Sequence, residues 1–330
     1  MVKKQSSVID RSVLCDGGIR CSVCDSTGAK CMDERDGCTL YSCHRCELQF
    51  WHPLQETNSD YYENDFRYSI RDELMPEKLG QRHHVFLKSN TLVGGTLLDV
   101  GCGTGLLLDR CRSKGYKVVG IDFDVNAIAT ARSFRGIEEV YAVSLDEYRR
   151  RNPDKRFNVI TLFEVLEHQA DPRGFVMAVK GMLTDNGYIA ISVPNRDRWD
   201  KVPFPDDYPP NHLTKWNHKA LANFMSSCGF SIVDIRIGHL TLYSARQVLT
   251  GWLNSVKDQV LLKGLQMTRH GRSGSSKNRY MRRVFSVTFA LWRMLTFLPS
   301  FFIMLYSRVR SKQGTLLYCL ARVNSAFDGV

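Results

Sequence analysis

Acidic residues almost vanish from the last third of this chain. Between Arg236 and Val330 only Asp258 and Asp328 oppose 15 Lys and Arg, a local charge of +13 against +11 for all 330 residues. Residues 1–235 therefore carry a net −2, which excludes a uniformly basic nucleic-acid binder. An apolar run near the start is also missing, since Met1 to Val13 offers no stretch that a secretory signal would need. The expectation is a cytosolic chain whose 11 cysteines stay reduced. That excludes a disulfide framework and favours metal ligation where thiols cluster. A third absence lies in Gly101-Cys102-Gly103-Thr104-Gly105. A nicotinamide-binding Gly-x-Gly-x-x-Gly turn needs a small residue at position 106, and the chain has Leu106.

What is present is a strand, a glycine turn and a helix. Leu97-Leu98 lead into Asp99, glycines follow at 101, 103 and 105, and Leu106-Leu107-Leu108 open a helix. Alternate glycines let backbone N–H groups approach a ligand at the carboxyl end of a strand. The loop closes around something without a pyrophosphate, and an acid two residues before the first glycine suits a cation. Further strands follow at Lys117–Asp122, Glu138–Val143, Arg156–Phe163, Tyr188–Pro194, Gly229–Ile235 and Gly314–Arg322. Helical stretches between them predict an α/β, doubly wound, Rossmann-like parallel sheet of seven strands.

The glycine stretch resembles the first signature of class I S-adenosylmethionine-dependent methyltransferases, and the resemblance covers roughly residues 90–240 with 315–323. It implies that Asp122 accepts the ribose hydroxyls of the adenosyl group and that Ser144 and Leu145 shape the adenine pocket. Asp99, Gly101, Cys102, Gly103, Gly105, Phe123 and Phe163 complete the implied cofactor site. Asp124 reads as the cap of the helix beginning near Val125. Cys102, Cys111, Cys228 and Cys319 stand singly and read as small buried hydrophobes.

Cys21-x-x-Cys24 and Cys43-x-x-Cys46 are two short knuckles separated by 18 residues. Paired knuckles make a closed site of four thiolates suited to structural zinc, with Cys31 and Cys38 as substitute ligands. The segment resembles the zinc ribbon that precedes the methyltransferase domain in several bacterial sugar and cell-surface methyltransferases. There too a proline (here Pro53) and a tyrosine-rich stretch (here Tyr61-Tyr62) follow. Zinc would stabilise a segment that buries little core of its own. Asp25, Asp33, Glu34, Asp36 and Glu47 interrupt its basic residues, so it offers no cationic stripe for nucleic acid.

The expected organisation is a ribbon over 1–60, a helical linker over 61–95, the catalytic domain over 96–239 with 314–323, and an insertion over 240–313. Within the insertion, Val284 to Tyr306 is apolar apart from Arg293 and contains Pro299, with basic residues on both flanks. As one helix it would reach about 34 Å, enough to span a bilayer. A single crossing would leave the sixth and seventh strands on opposite sides. The expectation is therefore an insertion docked on an anionic membrane face, with Gly251-Trp252-Leu253 and Val260-Leu261-Leu262 as an amphipathic neighbour. A helical lid packed on protein is the alternative.

Glu164, Glu167 and His168 stand at i, i+3 and i+4 after the fourth strand, and on a helical turn they would share a face. Asn211-His212-Leu213-Thr214-Lys215-Trp216 supplies a second histidine after the fifth strand. Glu-x-x-Glu-His followed by His-x-x-x-Trp resembles the 2′-O-methyltransferases that cap small-RNA ends, where two glutamates and two histidines hold a divalent ion. Ubiquinone-pathway O-methyltransferases share the first part. The resemblance implies Mg2+ or Mn2+ at Glu164, Glu167, His168 and His212. The other reading makes His168 or His212 a proton acceptor without metal, with Glu164 on cofactor or substrate. The loop Arg196 to Trp216, with Trp199, Phe204, Tyr208 and Trp216, is the expected acceptor wall, and Arg196, Arg198 and Lys201 suit an acidic acceptor.

The expected function is methyl transfer to a hydroxyl or carbon of a small-molecule, glycan or lipid-linked acceptor at the cytoplasmic membrane face. Alternatives are a metal-assisted RNA 2′-O-methyltransferase and a non-catalytic binding module. The sequence leaves the oligomeric state open.

Overall fold

The computed structural model describes residues 18–54, 79–89, 94–198, 207–239, 297–306 and 314–324, with positions 245, 249 and 309. The chain divides into two units, Met1–Arg196 with Pro203–Arg236 and Leu316–Val330, and Asp197–Val202 with Ile237–Thr315.

The first unit contains two sheets. The larger has seven strands: β4 (Gly95–Val100), β5 (Tyr116–Asp122), β6 (Val140–Ala142), β7 (Phe157–Phe163), β8 (Leu183–Pro194), β10 (Phe230–Gly238) and β11 (Leu316–Val323). Their order is β10-β11-β8-β7-β4-β5-β6. The expected parallel arrangement holds from β8 through β7, β4 and β5 to β6. β11 instead runs antiparallel to β8, with Leu317 opposite Val193 and Leu320 opposite Ala190. It lies between β10 and β8, so the chain that leaves at β10 returns beside it.

Apolar pairs at the strand centres set the register. Leu97, Leu98, Ile160, Ile189 and Leu317 are all fully buried, each stabilising the fold by about 1.5–3 kcal/mol. Helices α1 (Gln81–Leu87), α2 (Leu106–Arg112), α3 (Val125–Arg135), α4 (Leu145–Arg151), α5 (Pro172–Lys180) and α6 (His218–Ser227) begin at identifiable signals. Asp124 caps α3 by accepting from the amides of Asn126 and Ala127, and Asp171 and Asn217 do the same for α5 and α6. A side-chain oxygen there satisfies an amide that has no partner within the helix.

The smaller sheet joins β1 (Lys30–Arg35), β2 (Cys38–Ser42) and β3 (Gln49–His52) to β9 (Thr214–Lys215). The first three strands are the cysteine-bearing hairpins, and β9 belongs to the segment after β8. Gln49 pairs with Lys215 and Phe50 with Thr214. A ribbon built only from residues 1–60 has nothing in its own sequence that announces this fourth strand.

In the second unit residues 297–306 are helical, with Pro299 three residues into the described stretch. Phe297, Leu298, Phe302 and Tyr306 are exposed there. Among the described residues no helix is long and apolar enough to cross a membrane. Tyr61-Tyr62, Trp199, Lys201, Phe204, residues 251–253, residues 260–262 and residues 284–296 lie outside the described residues.

Candidate active site

The carboxyl ends of β4, β5, β7 and β8 converge on the glycine turn. Gly101 has φ +75°, and a Cβ there would stand 2.7 Å from Val165 Cγ2. Gly105 has φ +78° and would meet Ile137 Cδ1 at 2.9 Å. Both conditions exclude side chains, so the turn is glycine for steric as well as conformational reasons. Gly103 differs: a Cβ there meets nothing within 4 Å. Its amide donates to Asp122 Oδ2 at 2.8 Å, and the other oxygen of Asp122 accepts from the Asp124 amide at 2.9 Å. Asp122 thus shapes the loop through its carboxylate. Burial raises its pKa, and those two amides act against the rise.

Asp99 is fully enclosed at the end of β4. Burial pushes its carboxyl up to about 7, although the Thr161 hydroxyl donates to it at 2.5 Å. Nearby, Cys102 and Phe163 are buried, while Phe123 is half exposed. Leu145 is buried, and the hydroxyl of Ser144 accepts from the Glu147 amide as the cap of α4. Phe163 takes the edges of His83 at 5.5 Å and Phe86 at 5.9 Å. These two come from α1, within the stretch expected only as a helical linker. Its Arg82 carries a charge that lowers the pKa of both Asp99 and Glu167, and Arg82 Nε is buried without a hydrogen bond among the described residues. An isolated arginine before a short apolar pattern carries no distinguishing signal in one sequence.

A second cluster lies beyond β7. Glu164 does not continue a helix: its φ is +60°, and a single 3-10 turn covers only Leu166–His168. The expected shared helical face of Glu164, Glu167 and His168 therefore does not form. Glu164 turns instead to Ser192, whose hydroxyl donates to its Oε1 at 3.0 Å. The chain brings together Glu167, His168 and His212, with one ligand atom from each lying within 4.8 Å of the others. Glu164 is not part of that triad.

Glu167 is 1% exposed, and neither carboxylate oxygen has a hydrogen bond among the described residues. Burial, and then the charge of Glu164, raise its pKa well above the carboxylate range. Burial holds His168 down at about 4, with His212 adding to the shift. His168 Nδ1 meets the Asn211 carbonyl at 2.7 Å. A carbonyl only accepts, so the proton is assigned to Nδ1, and Nε2 is the nitrogen 4.0 Å from Glu167 Oε1. The two imidazoles meet edge to face at 4.9 Å, and Asp207 stands 3.6 Å from His212 Nδ1. Asp207 went unremarked in the sequence; the only hint was an acid five residues before a histidine.

The four cysteines of the knuckles also converge. Cys21, Cys24, Cys43 and Cys46 place their sulfurs within 4.8 Å of one another, with the Cys21–Cys46 and Cys24–Cys43 pairs each at 3.5 Å. Tetrahedral zinc–sulfur bonds of about 2.3 Å set neighbouring sulfurs about 3.8 Å apart, so this donor set suits zinc. A hydrogen bond from Cys46, with support from the Val23 and Cys24 backbone, holds the Cys21 thiol down at about 5. Cys31 and Cys38 lie on β1 and β2 and do not belong to the cluster.

Residues 71–235 match the family model described as a methyltransferase domain. The chain is 32% identical over 149 residues to the ubiquinone biosynthesis O-methyltransferase of Pasteurella multocida (strain Pm70), a match covering 41% of this chain and 62% of that one. It is 26% identical over 182 residues to the protein of the same name from Cronobacter sakazakii (strain ATCC BAA-894), covering 54% and 74%. The chain thus spans less than two thirds of the first relative's length. A solved SAM-dependent methyltransferase from Archaeoglobus fulgidus aligns with TM-score 0.47 at 18% identity, over 78% of this chain and all of that one. The N-methyltransferase NodS from Bradyrhizobium japonicum WM9, in complex with S-adenosyl-L-homocysteine, aligns with TM-score 0.42 at 12% identity, over 74% and 86%.

Proposed function

The chain belongs to the methyltransferase-domain family, and on that premise we propose that it moves the methyl group of S-adenosylmethionine to a hydroxyl of a sugar, glycan or lipid-linked acceptor. The donor supplies an already activated methyl, so the protein must align the acceptor oxygen and deal with its proton. The glycine turn admits the donor closely, with Asp122 at the ribose end and Asp99 near the cationic end. Glu167, His168 and His212 receive the acceptor.

One observation carries the acceptor side. Glu167 is buried beside two histidines with neither oxygen hydrogen-bonded among the described residues. A buried carboxylate left without partners is costly, and a bound cation relieves that cost. Glu167, His168 and His212 would hold Mg2+ or Mn2+. Such an ion would lower the pKa of an acceptor hydroxyl and orient it. The Asn211 carbonyl fixes the His168 ring, as partners of ligating histidines do, and Asp207 stands near His212 at 3.6 Å. The relatives' printed name, O-methyltransferase, agrees with an oxygen acceptor.

Exposed Phe297, Leu298, Phe302 and Tyr306, in a region with almost no acids, support a peripheral place at an anionic membrane face. Such a surface would bring the chain to a membrane in which lipid-linked acceptors lie.

The test is methyl transfer to hydroxyl-bearing glycans, lipid-linked glycans and RNA, with chelator and with Mn2+ restored, alongside Mn2+ binding followed by paramagnetic resonance. Chelator-sensitive transfer to a glycan hydroxyl is expected, with Mn2+ binding that Glu167→Gln abolishes. Transfer to RNA alone, or transfer indifferent to both chelator and Glu167→Gln, overturns the proposal.

A further inference from the structure

The ribbon and the acceptor cluster are joined by a continuous set of hydrogen bonds. Glu47 follows Cys46 directly, and its amide donates to the Cys43 carbonyl at 3.1 Å with φ at +62°. Its backbone is therefore part of the second knuckle. Its carboxylate accepts from Asn217 Nδ2 at 3.1 Å and from Lys219 Nζ at 3.3 Å, and its carbonyl accepts from the Arg196 guanidinium. Arg196 follows β8 and Asn217 follows β9, so one knuckle residue grips both ends of the segment that carries His212. Asn217 cannot turn away, because its Oδ1 accepts from the Ala220 amide at 2.8 Å.

The middle of that segment is held by the ribbon too. Arg35 lies 3.9 Å over the Tyr208 ring, and Trp51 meets the same ring at 6.0 Å. The Tyr208 carbonyl accepts from the amides of Asn211 and His212 at 3.0 and 3.2 Å. The Trp51 amide donates to the Leu213 carbonyl at 2.9 Å, and the Leu213 amide donates to the Glu167 carbonyl at 2.9 Å. His212 thus stands on a bridge with the ribbon on one side and the Glu167 turn on the other.

We infer that Glu47 is a positioning residue for the acceptor loop, so that metal occupancy of the four-cysteine centre sets where His212 stands. This rests on the assignment of Glu167, His168 and His212 to the acceptor. A four-residue knuckle has no core, and converging ligands define its shape. When they separate, the left-handed backbone at Glu47 loses its template, and both ends of the segment lose their common anchor. On this account the ribbon works as a scaffold for the active site, beyond any role as a substrate-binding appendage.

The test is hydrogen exchange read by mass spectrometry on the full chain, metal-loaded and chelator-stripped, with Glu47→Ala, Glu47→Gln and Arg35→Ala. Stripping is expected to speed exchange across 207–216 by about tenfold or more, with residues 95–122 changed less than about twofold. Glu47→Ala should reproduce the first effect while retaining cysteine-bound metal, measured by release with a thiol reagent. Its kcat should fall about tenfold with the donor Kd unchanged, and Glu47→Gln, which keeps an acceptor for Asn217, should restore most of it. Unchanged exchange across 207–216 on stripping, or in Glu47→Ala, overturns the inference. Should Glu47→Ala lose metal, Arg35→Ala decides, and unchanged exchange there overturns it as well. Exchange needs no methyl transfer, so a chain that shows the coupling but methylates no hydroxyl sinks the acceptor assignment alone.

Discussion

The backbone amide of Leu213 donates to the carbonyl of Glu167 across 2.9 Å, tying the strand-like segment after His212 to the turn that carries His168. Two residues 46 positions apart thereby fix the separation of the two imidazoles. Helical periodicity plays no part in that placement, since the chain leaves the helical conformation at Glu164, with φ at +60°.

Glu167→Gln keeps the shape of the side chain and removes its charge. The expected outcome is a fall in kcat of about a hundredfold with the donor Kd unchanged, as for loss of a ligand or proton handler. Steady-state kinetics with calorimetric donor binding measure it. His168 is held down at about 4 by burial, so its own titration should leave no inflection in the rate between about pH 5 and 8.

Four converging thiolates suit zinc, and an ion held there would order both knuckles. Cys43→Ser should lower zinc content below one per chain and lower the thermal midpoint, with the loss centred on residues 18–54. Elemental analysis and calorimetric unfolding read both quantities.

Asp99 carries a sign that can be worked out. Burial raises its pKa to about 7 from 3.8. Its contribution to stability is therefore fully present below about pH 3.8 and is lost as pH rises through about 7. The slope in that window is about 1 kcal/mol per pH unit. Asp99→Asn should flatten urea-unfolding stability across it, since the Thr161 hydroxyl keeps an acceptor. A cationic donor favours the carboxylate, so donor binding near pH 6 should release a fraction of a proton, and Asp99→Asn should release none. Calorimetry in buffers of different ionisation heat measures that release.

Gly101→Ala meets Val165 Cγ2 at 2.7 Å with φ at +75°. The expected cost is about 1–3 kcal/mol of stability together with weakened donor binding. Adding Val165→Ala relieves the clash and leaves the backbone strain, so part of the loss should return in denaturant titrations.

Several features were legible from residues alone because local chemistry dictates them. Glycines at 101 and 105 answer to φ and to close packing, Asp124 to an unpaired helix amide, and the cysteine pairs to the reach of a knuckle. Glu164 departs from its expected place for an equally local reason. The spacing suggested a shared helical face, yet a left-handed residue after β7 turned its carboxylate to Ser192. Asp207, Arg82 and Glu47 had no local pattern to mark them.

Strand periodicity, the glycine turn and the paired knuckles are properties of neighbouring residues, so they determined the seven-stranded α/β architecture, the tight turn after β4 and the thiolate set without any three-dimensional information. Only tertiary structure decided that β9 completes the ribbon's sheet, that β11 runs against β8, and that Glu47 reaches Asn217. Those relationships join residues up to 170 positions apart. They arise from hydrogen bonds and burial between segments whose sequences carry no mark of their partners.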